Sequence, residues 1–361
     1  MDNYREVKIL AQKSITDSGT ETIDINVDEP ITELRVLFAV TNDAAVADEV
    51  PPESCVSKIE LVDGGTVYSS LSGREATAVS QYEKSIWPRH SYTAEANGWQ
   101  EVVWALQFGR YVGDEEFAFS PTRLLNPQLK VTWAKNALHV ADSCYLEVLA
   151  RTMQGISLPS KALLTKTIKA WSTAGSGYEE CDLPTDYPYR RLYFRAYEKE
   201  TWFGTTWKNF ELNCDVGKLI VFDLGSNVMR GLMKDVWGLA RYQEYVEADN
   251  GVMHQSHLGE CKQMSCVPTV PSMNVYGNPT TPGYVRMYAY NMAGAAQTDI
   301  KTQCEFVGLC PENAYCYPFG RQDDPATWFN APRYGSVKLI IEEGSAGAAA
   351  SVFLQQPRPL P

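Results

Sequence analysis

No apolar run in the 361-residue sequence approaches the roughly 18 residues a helix needs to cross a bilayer. Basic clusters are missing too: no run of Lys or Arg exceeds the pair Arg190-Arg191. The chain holds 32 basic and 44 acidic residues, a formal charge of −12. Such a surface repels phosphate backbones, so direct nucleic-acid binding is not expected. Histidine is scarce, at four, and neither His90 nor His139 has an obvious nucleophile partner in sequence. Gly-x-Ser-x-Gly, Walker and dinucleotide fingerprints are absent, and no cofactor is expected. The opening residues, Met1 to Lys8, lack the apolar stretch of a secretory signal. In that setting the nine cysteines are expected to be mostly reduced and buried.

What remains is a chain with 44% hydrophobic and 21% charged residues, which excludes disorder. Tyr (20), Phe (12) and Trp (9) are plentiful, and 25 Gly and 20 Pro are scattered throughout. Short β-branched and aromatic stretches punctuated by Gly, Pro, Asn and Asp indicate an all-β protein. Strands are expected at 6–12, 21–27, 34–40, 101–108, 128–133 and 144–151. The segment Leu34 to Val40 is almost continuously apolar, as in a strand buried on both faces. Ile59-Glu-Leu-Val-Asp-Gly-Gly-Thr-Val-Tyr is a hairpin whose Gly64 and Gly65 supply positive φ. Ser72 and Glu75 have the spacing of a capping box, which starts a helix that Pro88 ends. Residues 153–165, with Gly155 and Pro159, form a linker between an N-terminal domain (1–155) and a C-terminal domain (156–361).

The two halves repeat. Val56-Ser-Lys-Ile-Glu-Leu-Val-Asp-Gly-Gly can be laid over Val216-Gly-Lys-Leu-Ile-Val-Phe-Asp-Leu-Gly at an offset of 160 residues. That register sets Tyr82 of the expected helix against Tyr242. Leu34 pairs with Leu192 and Leu129 with Val337, at offsets of 158 and 208. The larger offset places extra residues in the second half, mainly at 248–283 and 292–335.

About eight strands per half suit two face-to-face sheets with Greek-key crossings, the eight-stranded jelly roll. The expected fold class is therefore all-β, two tandem jelly rolls, each with one short helix. With its duplicated halves and its hairpin of the Ile-Glu-Leu-Val-Asp-Gly-Gly-Thr-Val type followed by a helix, the chain resembles the double jelly-roll major capsid proteins. These build tailless icosahedral viruses, including adenovirus-like viruses and bacteriophages with an internal membrane. The resemblance spans Val7 to Leu354. It implies a homotrimer whose six barrels give a pseudo-hexagonal capsomer, with neighbouring capsomers and vertex (penton) proteins as partners and the virion as location. It also implies that the long insertions form an outer tower or clasp neighbours. Met1–Glu6 and Pro357–Pro361 would lie at the inner face or tie adjacent capsomers. The short ends carry no basic arm, which fits a shell around a lipid membrane better than one around naked genome.

His254, His257, Cys261 and Cys266 form the densest set of candidate metal ligands, at a spacing that matches no zinc pattern. Cys304, Cys310 and Cys316 recur every six residues and read as buried thiols. Acidic clusters at Asp114–Glu116, Glu179–Glu180 and Asp323–Asp324 match no calcium loop. Trp202, Phe203 and Trp207, in a loop with Gly204, are candidates for an exposed interface or ligand contact. Two alternatives accompany the structural role: a tandem jelly-roll carbohydrate-binding or host-attachment protein, and a glycan-processing hydrolase. An enzyme is not the expected class, because no catalytic signature is present.

Overall fold

Side chains that alternate between buried and exposed build two sandwiches in this computed structural model. It describes the chain except residues 1–3, 44–49, 85–88, 92–96, 199–200, 249–258, 269–272, 279–285, 292, 294 and 296–299. At 89–91, 242–248, 260–264, 266–268, 273–278, 286–291 and 300–304 the backbone alone is described.

The first sandwich comprises β1 (Tyr4–Ile15), β2 (Ser18–Asp24), β3 (Ile31–Thr41), the one-turn α1 (Pro52–Cys55), β4 (Val56–Asp63) and β5 (Thr66–Leu71). After them come α2 (Gly73–Lys84), β6 (Arg89–Ser91), β7 (Trp99–Gln107), β8 (Pro127–Ala134) and β9 (Cys144–Met153). One sheet runs β1-β9-β3-β7-β6, and the facing strands run β2-β8-β4-β5.

The second sandwich repeats the scheme. It opens with β10 (Lys161–Ala174), β11 (Tyr178–Leu183), β12 (Arg191–Tyr197), the one-turn α3 (Phe203–Thr206), β13 (Trp207–Cys214), β14 (Leu219–Gly225) and α4 (Ser226–Trp237). An inserted group follows: β15 (Ala240–Ala248), β16 (Glu260–Pro268), β17 (Met273–Asn278), β18 (Arg286–Asn291) and β19 (Ile300–Leu309). The barrel then closes with β20 (Ala314–Pro318), β21 (Val337–Glu343) and β22 (Ala346–Pro359). Its sheets run β10-β22-β12-β20 and β11-β21-β13-β14. Apart from the three-residue β6, which has no counterpart in these two sheets, this is the strand order of the first barrel, so the chain is a double jelly roll, as expected.

The period-2 pattern explains each core. In the first, Leu34, Val36, Phe38 and Val40 of β3 meet Ile59, Leu61, Trp104, Leu129, Val131, Leu146 and Val148. In the second, Leu192, Phe194 and Ala196 of β12 meet Phe210, Leu212, Leu339, Ile341, Val352 and Leu354. The alternate residues Tyr193 and Phe353, with Cys316 and Ala314, belong to the first core. The middle of the sheet β10-β22-β12-β20 is thus buried on both faces, and the barrels lie side by side across it. A parallel bridge between Ser70 of β5 and Lys166 of β10 makes the two barrels share one eight-stranded sheet.

The capping box forms as expected: the Glu75 amide donates to Ser72 Oγ (3.3 Å), and the Ser72 amide donates to Glu75 Oε2 (2.7 Å). Gly73 is needed for close approach, since a Cβ there would lie 2.3 Å from the Glu53 carbonyl oxygen of α1.

The repeat is real but its register differs from the sequence alignment. Gly73–Lys84 corresponds to Ser226–Trp237, an offset of 153. The identities at offset 160 laid β4 over β14, whereas its counterpart is β13. The turn lengths caused the slip: Gly64–Gly65 in the first hairpin, residues 215–218 in the second. Tyr242, expected in the second helix, lies in strand β15. The expected linker 153–165 ends early, because β10 begins at Lys161. Within the expected insertion 292–335, β20 is a barrel strand and Tyr315 and Cys316 are fully buried. The added chain fills the connection 226–313, which answers to 72–98 in the first barrel. At the end of the chain Leu360 is buried in the first core, and its amide donates to Ser160 O at 2.8 Å, so the tail folds back on its own chain.

The true register exposes a shared tie. Asp63, at the end of β4, accepts from the amides of Asn126 (2.6 Å) and Leu125 (3.3 Å), just before β8. Asp215, at the end of β13, accepts from Gly335 (2.7 Å) and Ser336 (3.1 Å), just before β21. Asp63→Ala and Asp215→Ala should each lower stability by about 1–2 kcal/mol, since each removes two charge-assisted bonds. The two losses should add in the double variant, because the sites share no partner. Urea unfolding followed by tryptophan fluorescence measures both quantities.

Candidate functional site at the barrel junction

Helix α2 leaves the first barrel and lies against the outer face of the second. Its apolar positions Ala76, Ala78 and Val79 turn to the first core. Lys84, its last residue, anchors it to β3 through Glu33 Oε2 at 2.6 Å. The residues left over carry charge, and they meet charge from the second barrel.

Glu83 is the centre of the larger cluster. Arg191 approaches its Oε1 at 3.0 Å and Arg190 its Oε2 at 3.3 Å. Gln355 Nε2 donates to Oε1 at 2.6 Å. All three charged side chains are buried. Burial alone would raise the Glu83 pKa, but Arg191, Arg190 and the Gln355 bond together hold it below the usual carboxylate range. Arg191 also lies over the Trp237 ring at 4.8 Å. Tyr82 meets the same ring edge-on at 5.3 Å and donates to Ala314 O at 2.7 Å.

A second cluster lies at the start of α2. Arg74 donates to Glu312 Oε2 at 2.7 Å and stacks on Tyr197 at 4.7 Å. Arg195 donates to the Glu312 carbonyl at 2.9 Å. Cys310, Glu312 and Asn313 have positive φ between 52° and 55°, a region costly for residues with a Cβ. Glu312 Oε1 and both amide atoms of Asn313 are buried without a hydrogen-bond partner among the described residues. Complete burial pushes the Glu312 carboxyl up to about 7, Arg74 pulling against that shift.

Between the clusters the shared sheet is sealed by side chains. Ser69 Oγ donates to Thr165 O (2.7 Å), and Thr167 Oγ1 reaches both Ser70 O (3.0 Å) and Glu75 Oε2 (2.8 Å). Glu75 therefore caps its own helix and contacts the other barrel.

The residues singled out in sequence fare differently. His254 and His257 lie outside the described residues. Cys261 and Cys266 sit on β16, whose ladder partner is β19. No group of three or more candidate metal ligands occurs among the described residues. Trp202 is 41% exposed, but Phe203 and Trp207 are buried, which corrects the expectation of a surface cluster. The segment is not an open loop: Phe203 starts α3 and Trp207 opens β13. Both rings pack in the second core, 5.1 Å apart and against Phe210. Cys55 Sγ lies 3.7 Å from His139 Nδ1, a pair of the right types for nucleophile and base. Burial pushes the Cys55 thiol up to about 11 and lowers the His139 pKa, so at neutral pH the thiol keeps its proton and the imidazole is neutral, the reverse of an activated pair. Sequence reasoning passed over Glu83, Arg191 and Arg195. A signal was present, since two arginines at i and i+4 interrupt the otherwise apolar β12.

Two outcomes follow. Glu83→Gln strips the countercharge from two buried arginines and should destabilise the protein by about 3–5 kcal/mol, read as a lower denaturation midpoint. Glu312 behaves oppositely with pH. Its carboxyl is protonated in both states below pH 4.5, and between 4.5 and about 7 only the folded state keeps the proton. Its contribution is fully present below 4.5 and is lost as pH rises through 7. The melting temperature of Glu312→Gln relative to wild type should therefore climb between pH 4.5 and 7 and then level off. Thermal scans across that range decide it, a flat difference being the contrary result.

No family model matches the sequence, and no curated protein matches it. Solved structures do. The STIV major capsid protein superimposes with a TM-score of 0.63 at 11% identity, covering 99% of this chain and 97% of that one; STIV is Sulfolobus turreted icosahedral virus. The major capsid protein P2 of bacteriophage PM2 gives 0.55 at 11% identity, covering 99% and 97%. VP54 of PBCV-1 gives 0.58 at 10% identity, covering 98% and 93%. At this identity the likeness is one of architecture: the chain has the double jelly-roll fold of these viral major capsid proteins over essentially its whole length.

Proposed function

We propose that the chain is a viral major capsid protein that self-assembles as a homotrimer. Three chains present six similar barrels, a pseudo-hexagonal capsomer that tiles an icosahedral shell. The observation that carries this reading is the pairing of two barrels that share an eight-strand order, fixed side by side through β5–β10 and the α2 ion clusters. A rigid pair of like barrels, repeated three times about an axis, gives a near-sixfold outline from threefold symmetry. A flexible tether would not.

The rest of the reading follows from shape and charge. The inserted strands β15–β19 form the outer tower, and the partners are neighbouring capsomers and vertex proteins at the fivefold positions. With a net charge of −12 and no run of Lys or Arg longer than Arg190-Arg191, the shell encloses an internal membrane rather than touching the genome. The protein resides in the virion and is assembled in the host cytoplasm. Burial of Phe203 and Trp207 leaves Trp202 alone of the three aromatic candidates for a surface contact, which weighs against a sugar-stacking platform.

Native mass spectrometry of the purified chain should give a trimer of about 121 kDa, three copies of 40.3 kDa, and negative-stain microscopy should show hexagonal outlines. A chain that stays monomeric at every concentration would overturn the proposal.

A further inference from the structure

The two barrels have equivalent helices with unequal surroundings. α2 is buried from Gly73 to Tyr82 apart from Arg74, because the second barrel covers its outer side. α4 has no such cover among the described residues. Its inward positions Met229 and Met233 are buried, while Val228 is 56% and Val236 50% exposed, and Leu239 just beyond is 41% exposed.

Laid over α2 at the offset of 153, the exposed valines fall on meaningful positions. Val228 answers to Glu75, which contacts Thr167 of the second barrel. Val236 answers to Glu83, which holds Arg190 and Arg191. Asn227 answers to Arg74, the partner of Glu312. Two positions that are ionic on α2, where the second barrel covers it, are valines on α4, where no described residue does, with Asn227, Lys234 and Asp235 exposed beside them.

The sheet edges tell the same story. The edge of β5 is occupied by β10, whereas its equivalent β14 ends its sheet, with Leu219 and Ile220 41% and 49% exposed. β1, the first-barrel equivalent of β10, also ends its sheet. One chain therefore carries one satisfied seam and the two unsatisfied halves of a second.

We propose that the α4 stripe Val228–Val236–Leu239 and the β14 edge dock the first barrel of a second copy, along its β1 edge, in the arrangement that joins the two barrels within one chain. This rests on the trimer reading and specifies its contact surface. The contact is heterologous, second barrel to first, and three such contacts close a ring. The chemistry suits the difference between the seams. Within a chain, buried ion pairs fix one arrangement while adding little net stability. Between chains that must first meet, the driving force comes from apolar burial.

The test compares wild type with Val228→Asp/Val236→Asp and with Leu125→Asp, whose parent side chain is 98% exposed on the first barrel. Sedimentation velocity and circular dichroism are recorded on the full chain. Wild type and Leu125→Asp should be trimers. The double variant should sediment as a folded monomer, its dissociation constant raised about a hundredfold or more. Should the aspartates prevent folding, Val228→Ser/Val236→Ser takes their place, with at least about tenfold weaker association expected. A double variant that trimerises like wild type overturns this surface and leaves the trimer reading standing. A wild type that never leaves the monomer overturns the trimer reading itself.

Discussion

The architecture depends on one carboxylate. Glu83 stands between Arg190 and Arg191, buried with both and bonded also to Gln355. Three buried charges in contact admit one arrangement, because any slide of one barrel against the other would leave a charge unpaired in an apolar setting. Apolar packing alone tolerates such slides. The cluster therefore fixes the relative pose of two barrels that are each stable for the ordinary reason, alternating apolar side chains between facing sheets.

That pose is reinforced at separate points along α2. Lys84 ties one end of the helix to β3, the Glu75–Ser72 box caps the other, and Arg74 reaches Glu312 across the seam. The left-handed stretch Cys310–Asn313 is where this costs most in backbone conformation. It delivers the Glu312 carboxylate to Arg74 and then starts β20, which lines the second core. A strained turn that serves two buried contacts at once is held by both.

Much of this was legible in the sequence. Strand positions followed from alternation, the capping box from Ser72 and Glu75, and the duplication from the order of elements. The register of the repeat was not, since four chance identities favoured β14 while the true correspondence of β4 with β13 preserves Asp63 and Asp215 and little else. The burial of Trp207 was missed because Gly204 and the neighbouring polar residues suggest a loop, yet the same residues fold as one helical turn, as Pro52–Cys55 do in the first barrel. The pairing of Glu83 with Arg190 joins residues 107 positions apart, and local pattern carries no information over that distance. What the sequence did show was the oddity of charge inside an apolar strand.

The middle of the sheet β10-β22-β12-β20 has no outer surface of its own: one side lines its barrel, and the other carries Tyr193, Phe353 and Arg191 toward α2. A second half produced by itself would leave aromatic rings and unmatched guanidinium groups in water. During synthesis from the amino terminus the first half emerges before the second, so that α2 is in place as a template when β12 and β22 arrive. The order of the two halves along the gene is therefore not arbitrary, and a permuted chain that began at β10 would reach the ribosome exit with its most vulnerable face uncovered.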